Sequence, residues 1–208
     1  NTASGYQSLY SNTTGAKNIA IGHGAYDNAD TEHNNLAIGF SALGGAIDGG
    51  EYNVAIGNYS LAANTTGDQN IGIGYASLSR NTTGVQNTLI GGLAGDALTE
   101  GGNNVALGHG TLSTETTTGR TVAVGYLALS SQRSDSHTYN VAVGYEASAA
   151  VTTGVRNVIM GGFAGDALTT GNYNVAIGHS ALGTEDAHGA NVAIGYNTLA
   201  SQNAGADA

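Results

Sequence analysis

The stretch Asn53-Val54-Ala55-Ile56-Gly57 recurs, slightly altered, along the whole chain. Successive copies are 17 residues long, except that copies three and eight have 18 and 19 residues. A fixed period of this size is typical of a solenoid, in which each copy is one structural unit stacked on its neighbours. The sequence therefore predicts a single repeat domain over residues 1–208. The twelve copies begin at Asn1, Asn18, Asn35, Asn53, Asn70, Asn87, Asn104, Thr121, Asn140, Asn157, Asn174 and Asn191.

The composition excludes several classes of function. The chain has no Cys, which excludes a disulfide framework, a thiolate zinc site and a cysteine nucleophile. A net charge of −10 with five Lys and Arg argues against nucleic acid and against an anionic membrane surface as partners. No apolar run approaches the roughly 18 residues of a membrane span, so we expect no direct membrane insertion. Because neither end carries a cap, we expect a segment of a longer fibre.

The alternation of side chains in the motif predicts a β-strand with two different faces. We count the positions of a copy from its first residue and call its last residue the final position. Val54 and Ile56 fall on one face, and Ala55 and Gly57 fall on the other. Abundant Gly and β-branched residues, with no 3.6-residue stripe, argue against helix.

The second half of each copy carries a weaker apolar pair followed by a turn. Examples are Ser60-Leu61-Ala62 and the turn Asn64-Thr65-Thr66-Gly67. Asn, Thr and Gly favour tight turns. The pattern predicts two short strands and two turns per copy, and therefore an all-β parallel solenoid of about twelve coils.

The two strand faces predict how the chain packs. We expect Val54, Ile56 and their equivalents to fill the interior of a thin coil. The Ala/Gly face is then left in water as a continuous stripe of small residues, and such stripes are usually interfaces. The chain is therefore expected to form a homo-oligomer that associates along its Ala/Gly face.

Two rows of residues have a structural interpretation. The first-position Asn side chains, such as Asn53 and Asn70, are expected to form an amide ladder from coil to coil. Gly occupies the fifth position in every copy, which indicates a common backbone role. Members of the Gly row include Gly22, Gly39, Gly57 and Gly74.

Copies six and ten depart from the pattern together. Their third position is large, Leu89 and Ile159, and their sixth position is Gly, Gly92 and Gly162. We interpret this large-for-small exchange as compensated packing between these two positions.

The Asn-Val-Ala-Ile-Gly runs, each followed by a short Ala/Ser-Leu segment, resemble the head repeats of the trimeric autotransporter adhesins, the YadA-like family. Similar runs occur in phage tail fibres. The resemblance covers all twelve copies, although the turns here are longer than those of the family. It implies a left-handed parallel β-roll, a side-by-side homotrimer, and an extracellular role in attachment at a cell or virion surface.

The sixth position is rich in aromatic residues and His, which stacked coils would align into a ladder. The structural interpretation is aromatic packing, and the functional one is a stripe that binds a host-surface protein or glycan. The candidates for such a binding ladder are Tyr75, Tyr126, Tyr145 and Tyr196.

The chain offers weak candidates for a metal site and no catalytic constellation. If the sixth position faces a three-fold axis, His23, His109 and His179 would each form a ring of three imidazoles, which is a possible metal or anion site. Asp96 and Asp166 are weak candidates for calcium, which needs several converging oxygens, and solvated turn residues are the favoured interpretation. We expect no resident metal, no cofactor and no enzyme activity.

Four functions fit the pattern to different degrees. The favoured one is an adhesive or spacer fibre, including a phage tail-fibre shaft. The next is a filament subunit that stacks end to end. An ice-binding solenoid is disfavoured because Thr lies mostly in turns, and a polysaccharide-degrading β-helix is disfavoured because no singular carboxylate pair stands out.

Overall fold

The computed structural model describes residues 1–117, 119–184 and 187–200. In this part the chain forms twelve three-residue strands, one per copy, and no helix. The strands make one parallel sheet in chain order, which is the sheet of a β-solenoid. The strands are β1 Thr2–Ser4, β2 Ile19–Ile21, β3 Leu36–Ile38, β4 Val54–Ile56, β5 Ile71–Ile73, β6 Thr88–Ile90, β7 Val105–Leu107, β8 Val122–Val124, β9 Val141–Val143, β10 Val158–Met160, β11 Val175–Ile177 and β12 Val192–Ile194.

The strand register is the same in every pair of copies. Val54 pairs with Ile71 and Ala55 pairs with Gly72, so equivalent positions stack into straight columns. The 19-residue copy keeps this register, since Val122 pairs with Val141. The extra residues of the long copies are therefore absorbed in their turns.

The second half of each copy is not a strand, and the expectation of two strands per copy is wrong. Its backbone is left-handed at the seventh position, as at Tyr59, and again at the ninth, where Leu61 and Leu78 have φ of 50° and 52°. Left-handed residues curl the chain and prevent an extended ladder. The turns nevertheless aim these Leu side chains inward, where both are fully buried.

The interior lies on the Ala face of the strands, so the predicted assignment of the two faces is wrong. Ala55 is completely buried, whereas Val54 and Ile56 are only half-buried and point outward. The physical reason is volume. Because the ninth-position Leu already fills the thin coil, only a small side chain fits opposite it. The Ala face therefore cannot be the surface of association.

The exchange in copies six and ten takes place inside the coil, and its partner is not the sixth position. Gly95 and Gly165 occupy the ninth position in these copies, where a Cβ would meet Leu89 and Ile159 respectively. Gly92 lies at the surface, where an added Cβ would only touch the His109 ring at 3.4 Å. The large third-position side chain thus replaces the ninth-position Leu.

The first-position Asn row forms the expected ladder. The backbone N–H of Asn70 donates to Oδ1 of Asn53 over 2.9 Å, and Nδ2 of Asn53 donates to the Gly67 carbonyl over 2.8 Å. Each Asn therefore joins its own turn to the next coil. The fifth-position Gly row is also structural, because Gly57 has φ of +125° and a Cβ there would lie 2.5 Å from the Gly74 carbonyl oxygen.

No helix that is long and apolar enough to cross a membrane occurs in the described residues.

Candidate binding surfaces

Three columns of side chains run along the outside of the solenoid. The Val/Ile stripe consists of the second- and fourth-position side chains of the strands. The ring column follows it two residues later, after the fifth-position Gly. The final-position column precedes the strand, separated from it by the buried first-position Asn. The sheet is thus bordered on both sides by a column of exposed side chains.

The Val/Ile stripe lies at the surface along the whole sheet, with side chains that are exposed or half-buried. Ile19 and Ile21 are each 41% exposed, and at the last strand Val192 and Ile194 reach 65% and 63%. Twelve strands spaced by about 4.8 Å make a stripe about 53 Å long and about 10 Å wide. An area on the order of 500 Å² matches the largest apolar patches of monomeric proteins, which are often functional. Polar members of the stripe are Thr2, Ser4 and Thr88.

The ring column is a stack of aromatic rings and imidazoles in two runs. The first run joins Tyr6 to Tyr75 and the second joins His109 to Tyr196, with neighbouring centroids 5.1–6.2 Å apart. The break lies at Gly92, which has no ring. These distances are those of stacked and edge-to-face pairs.

All four predicted ladder residues lie in this column and are exposed. Tyr126 and Tyr145 stack at 5.2 Å with an interplanar angle of 17°. Tyr75 contacts Tyr59 and Tyr196 contacts His179. Contact between rings is therefore established, and a ligand for them stays a prediction.

Two rings of the column were missed from the sequence. Where the sixth position is Asn58 or Gly162, the seventh-position Tyr59 or Phe163 supplies the ring instead. The signal was present in the sequence as an aromatic residue one place later in each of these copies.

The three candidate His residues are members of the same stack. His23 lies between the rings of Tyr6 and Phe40, 5.1 Å from each. His179 contacts Tyr196, and its Nδ1 lies 3.0 Å from the Ser180 hydroxyl. The described part of one chain contains no group of three His, Cys, Asp or Glu placed to hold a metal ion. Imidazole rings about a three-fold axis remain a prediction that concerns an assembly.

Asp96 and Asp166 lie in copies six and ten, at the tenth position. Partial burial raises the pKa of both carboxyl groups above the ordinary value of Asp. They are separated by four coils and are not brought together. Each is a half-buried side chain of its own turn.

The final-position column was missed entirely by sequence reasoning. Its eleven members all have a left-handed backbone, with φ from 52° to 65°. A listing of the sequence by final position would have revealed a run of planar side chains. The members are Lys17, Asn34, Tyr52, Gln69, Gln86, Asn103, Arg120, Tyr139, Arg156, Tyr173 and Ala190.

Neighbouring members of the final-position column contact each other. Nε2 of Gln86 donates to Oε1 of Gln69 over 3.1 Å. Nη1 of Arg120 donates to the Tyr139 hydroxyl over 2.8 Å, and the guanidinium carbon lies 5.6 Å from the centre of that ring. This contact combines a hydrogen bond with a cation–π interaction.

The fold defines a class of protein, the parallel β-solenoids with one short strand per coil. No family model, curated protein or solved structure matches the chain. The three outer columns are therefore the features of the molecule that bear on its function.

Proposed function

We propose that the chain is a rigid segment of an extracellular fibre that attaches a cell or virion to a surface. In this proposal, copies of the chain pack side by side along the Val/Ile stripe. The observation that carries it is that the stripe lies at the surface of all twelve strands, where its side chains are exposed or half-buried. The number of chains, three, the left-handed coil and the attachment role come from the resemblance to adhesin head repeats.

The stripe has the properties of an interface between identical chains. It is continuous, because every strand pair keeps the same register. Every chain of a homo-oligomer presents the same stripe, which suits a closed symmetric assembly. Removing about 500 Å² of apolar surface per chain from water contributes on the order of 12 kcal/mol before the cost of association.

The regularity of the fold favours a mechanical role over catalysis. All twelve coils present a strand of three residues and the same Gly turn, and eleven of them begin with an Asn of the ladder. A rod of uniform coils holds a binding surface at a fixed distance from its anchor. In this reading the variable side chains of the two outer columns contact a host-surface protein or glycan.

Molar mass in solution tests the assembly. Light scattering coupled to size exclusion is expected to give three times the mass of one chain. The double variant Ile73→Lys/Val124→Lys places two charges in the centre of the stripe and is expected to be monomeric, because a buried unpaired charge is costly. The control Thr66→Lys/Thr83→Lys adds the same charge at exposed turns and is expected to keep the wild-type mass. A monomeric wild-type chain would overturn the proposed assembly.

A filament subunit is the second candidate, and the sheet itself favours it. In the described residues β1 and β12 are the two edges of a parallel sheet, and unpaired edges are templates for further strands. Negative-stain electron microscopy separates the two candidates. Rods of one fixed length support the fibre segment, and threads of indefinite length support end-to-end stacking.

A further inference from the structure

The final-position column changes character along the solenoid. In copies three and four, the residue just before the column is acidic, Glu51 and Asp68. In copies seven to nine the equivalent residues are Gly119, Thr138 and Val155. The column itself becomes cationic at this point. Three of the five Lys and Arg residues of the chain lie in copies seven to nine, namely Arg120, Arg133 and Arg156.

The two guanidinium groups of the column are held in place by tyrosines. Arg120 and Arg156 lie on either side of Tyr139, 5.6 and 5.9 Å from the centre of its ring. Nη1 of Arg156 also donates to the Tyr173 hydroxyl over 2.6 Å. Neither guanidinium makes an ion pair with any of the residues that the structure describes. Stacking fixes these groups beforehand, so less entropy is lost when they bind an anion.

The column members share one backbone conformation. Arg120 and Tyr139 have φ of 65° and 52°. In this region Gly costs least, Asn is the next most tolerated, and larger residues are strained. Ala190 shares this conformation with φ of 62°, so the turn imposes it on every member of the column.

Copy eight supplies an irregular surface beside this column. Its turn is two residues longer than the standard one, and it begins at Arg133 and ends at Tyr139. His137 of this turn contacts the Tyr139 ring edge-on, with centroids 6.2 Å apart. The turn is flanked by two depressions of about 360 and 200 Å³.

The larger depression has the lining of a site for a hydroxylated anion. It is lined by Arg133 and by four hydroxyl-bearing residues, with no carboxylate. The smaller depression is lined by His137 and by Asp135, the only carboxylate in the turn. The hydroxyl-bearing residues of the larger depression are Thr114, Ser131, Thr152 and Thr153.

We propose that the turn edge of copies seven to nine binds a linear acidic glycan whose carboxylate or sulfate groups pair with Arg120, Arg133 and Arg156. Carboxylates and sulfates accept the paired N–H groups of guanidinium. The hydroxyl groups of sugars match the Thr and Ser lining of the larger depression. This proposal deepens the attachment role and rests on it.

The spacing of the cations favours a glycan over a nucleic acid. Arg120 and Arg156 are two coils apart, which corresponds to about 10 Å along the rod. This is close to the length of one disaccharide. A single nucleic-acid strand carries a charge about every 3.4 Å. Most of those charges would face an acidic protein of net charge −10 without a partner.

Titration calorimetry with three polysaccharides of different charge spacing tests the proposal. The probes are oligosaccharides of hyaluronan, with one carboxylate per disaccharide, of polygalacturonate, with one per sugar, and of neutral dextran. Hyaluronan is expected to bind, polygalacturonate to bind less tightly, and dextran not at all. Binding of dextran, or equal binding of a single-stranded DNA oligomer, would overturn the proposal.

Three variants assign the binding to the named residues. Arg120→Ala/Arg156→Ala is expected to lower the affinity for hyaluronan at least about tenfold, since two charge-assisted hydrogen-bond donors are lost. Arg80→Ala removes an exposed cation in copy five and is expected to leave the affinity unchanged. Asp135→Asn is expected to raise the affinity. An unchanged affinity of the double Arg variant would contradict the site.

The molar mass of each variant separates this inference from the proposed assembly. Loss of glycan binding by the double Arg variant at an unchanged mass supports a binding site. A fall to monomer mass in the same variant would place the column at the rim of the interface between chains and would overturn the glycan site. A wild-type chain that is monomeric and still binds hyaluronan would overturn the assembly and leave the glycan site standing.

Discussion

Copies five and six are neighbours with opposite solutions to the same packing problem. In copy five the third position is Gly72 and the ninth is Leu78, whereas in copy six the third is Leu89 and the ninth is Gly95. Leu78 and Leu89 are both completely buried. One large side chain fills the coil in each case, and it comes from the turn side in copy five and from the strand side in copy six.

The comparison shows that the coil interior specifies a volume and leaves the position of the side chain free. A coil has room for one Leu, and the residue facing it must be Ala or Gly. Most copies place the large residue on the turn side, which is why the strands carry Ala at their centre. Copies six and ten reverse the arrangement with Leu89 and Ile159.

The largest expected effect comes from placing two Leu residues in one coil. Gly95→Leu is expected to destabilise the protein by about 3 kcal/mol or more, because even a Cβ added at this position would overlap the Leu89 side chain. Leu89→Ala leaves a cavity and is expected to cost about 2–5 kcal/mol. Chemical denaturation followed by circular dichroism measures both losses.

The double variant Leu89→Ala/Gly95→Leu converts copy six into an ordinary copy. It is expected to regain most of the stability lost in each single variant, since Leu78 already adopts φ of 52° at the ninth position. If the two losses simply add, the two positions do not share one space and the comparison fails.

The Asn ladder runs through both copies, but its members have different neighbours in the two. Oδ1 of Asn70 accepts the backbone N–H of Asn87 over 3.0 Å, and Nδ2 of Asn70 donates to the Gly84 carbonyl over 2.7 Å. Asn70→Ala leaves the buried N–H of Asn87 unpaired, while the Gly84 carbonyl keeps Nδ2 of Asn81 at 3.0 Å, and it is expected to cost about 1–3 kcal/mol. Asn87→Ala, in copy six, removes the Nδ2 donor to the Gly101 carbonyl and is expected to cost more, because copy six has Leu98 where copy five has Asn81. A smaller loss for Asn87→Ala than for Asn70→Ala in chemical denaturation would contradict this account.

The repeat, its strand and the Asn and Gly rows followed from the sequence because periodicity and backbone chemistry determine them. The sequence did not reveal which face of the strand points inward, because hydrophobicity favoured Val54 and Ile56 as the interior residues. The deciding quantity was the space beside Leu61, which depends on how tightly the turns curl. The final-position column was missed for a related reason, since Arg120 and Tyr139 become neighbours only when the coils stack.

Copy two fills the coil in a third way, with Tyr26 at the ninth position. Its hydroxyl accepts a hydrogen bond from Asn35, and burial raises its pKa far above the ordinary value of Tyr. Stability is therefore full below the unfolded pKa of about 10 and falls by about 1.4 kcal/mol per pH unit above it. Tyr26→Phe removes this dependence, so its denaturation midpoint is expected to fall less between pH 10 and 11 than that of the wild type. Parallel curves would contradict this account.

The smallest expected effect concerns the carboxyl group that accompanies the reversed arrangement. Asp96 Oδ1 is buried without a hydrogen-bond partner among the described residues, and partial burial raises the pKa of Asp96. The folded state therefore favours the protonated acid, and stability is lost as the pH rises through the folded-state pKa. Asp96→Asn is expected to raise the melting temperature slightly at pH 7 and to leave it unchanged near pH 3. Asp166→Asn, in copy ten, is expected to behave in the same way, because burial also raises the pKa of Asp166. A gain of equal size at both pH values would assign the effect to the amide and not to the removed charge.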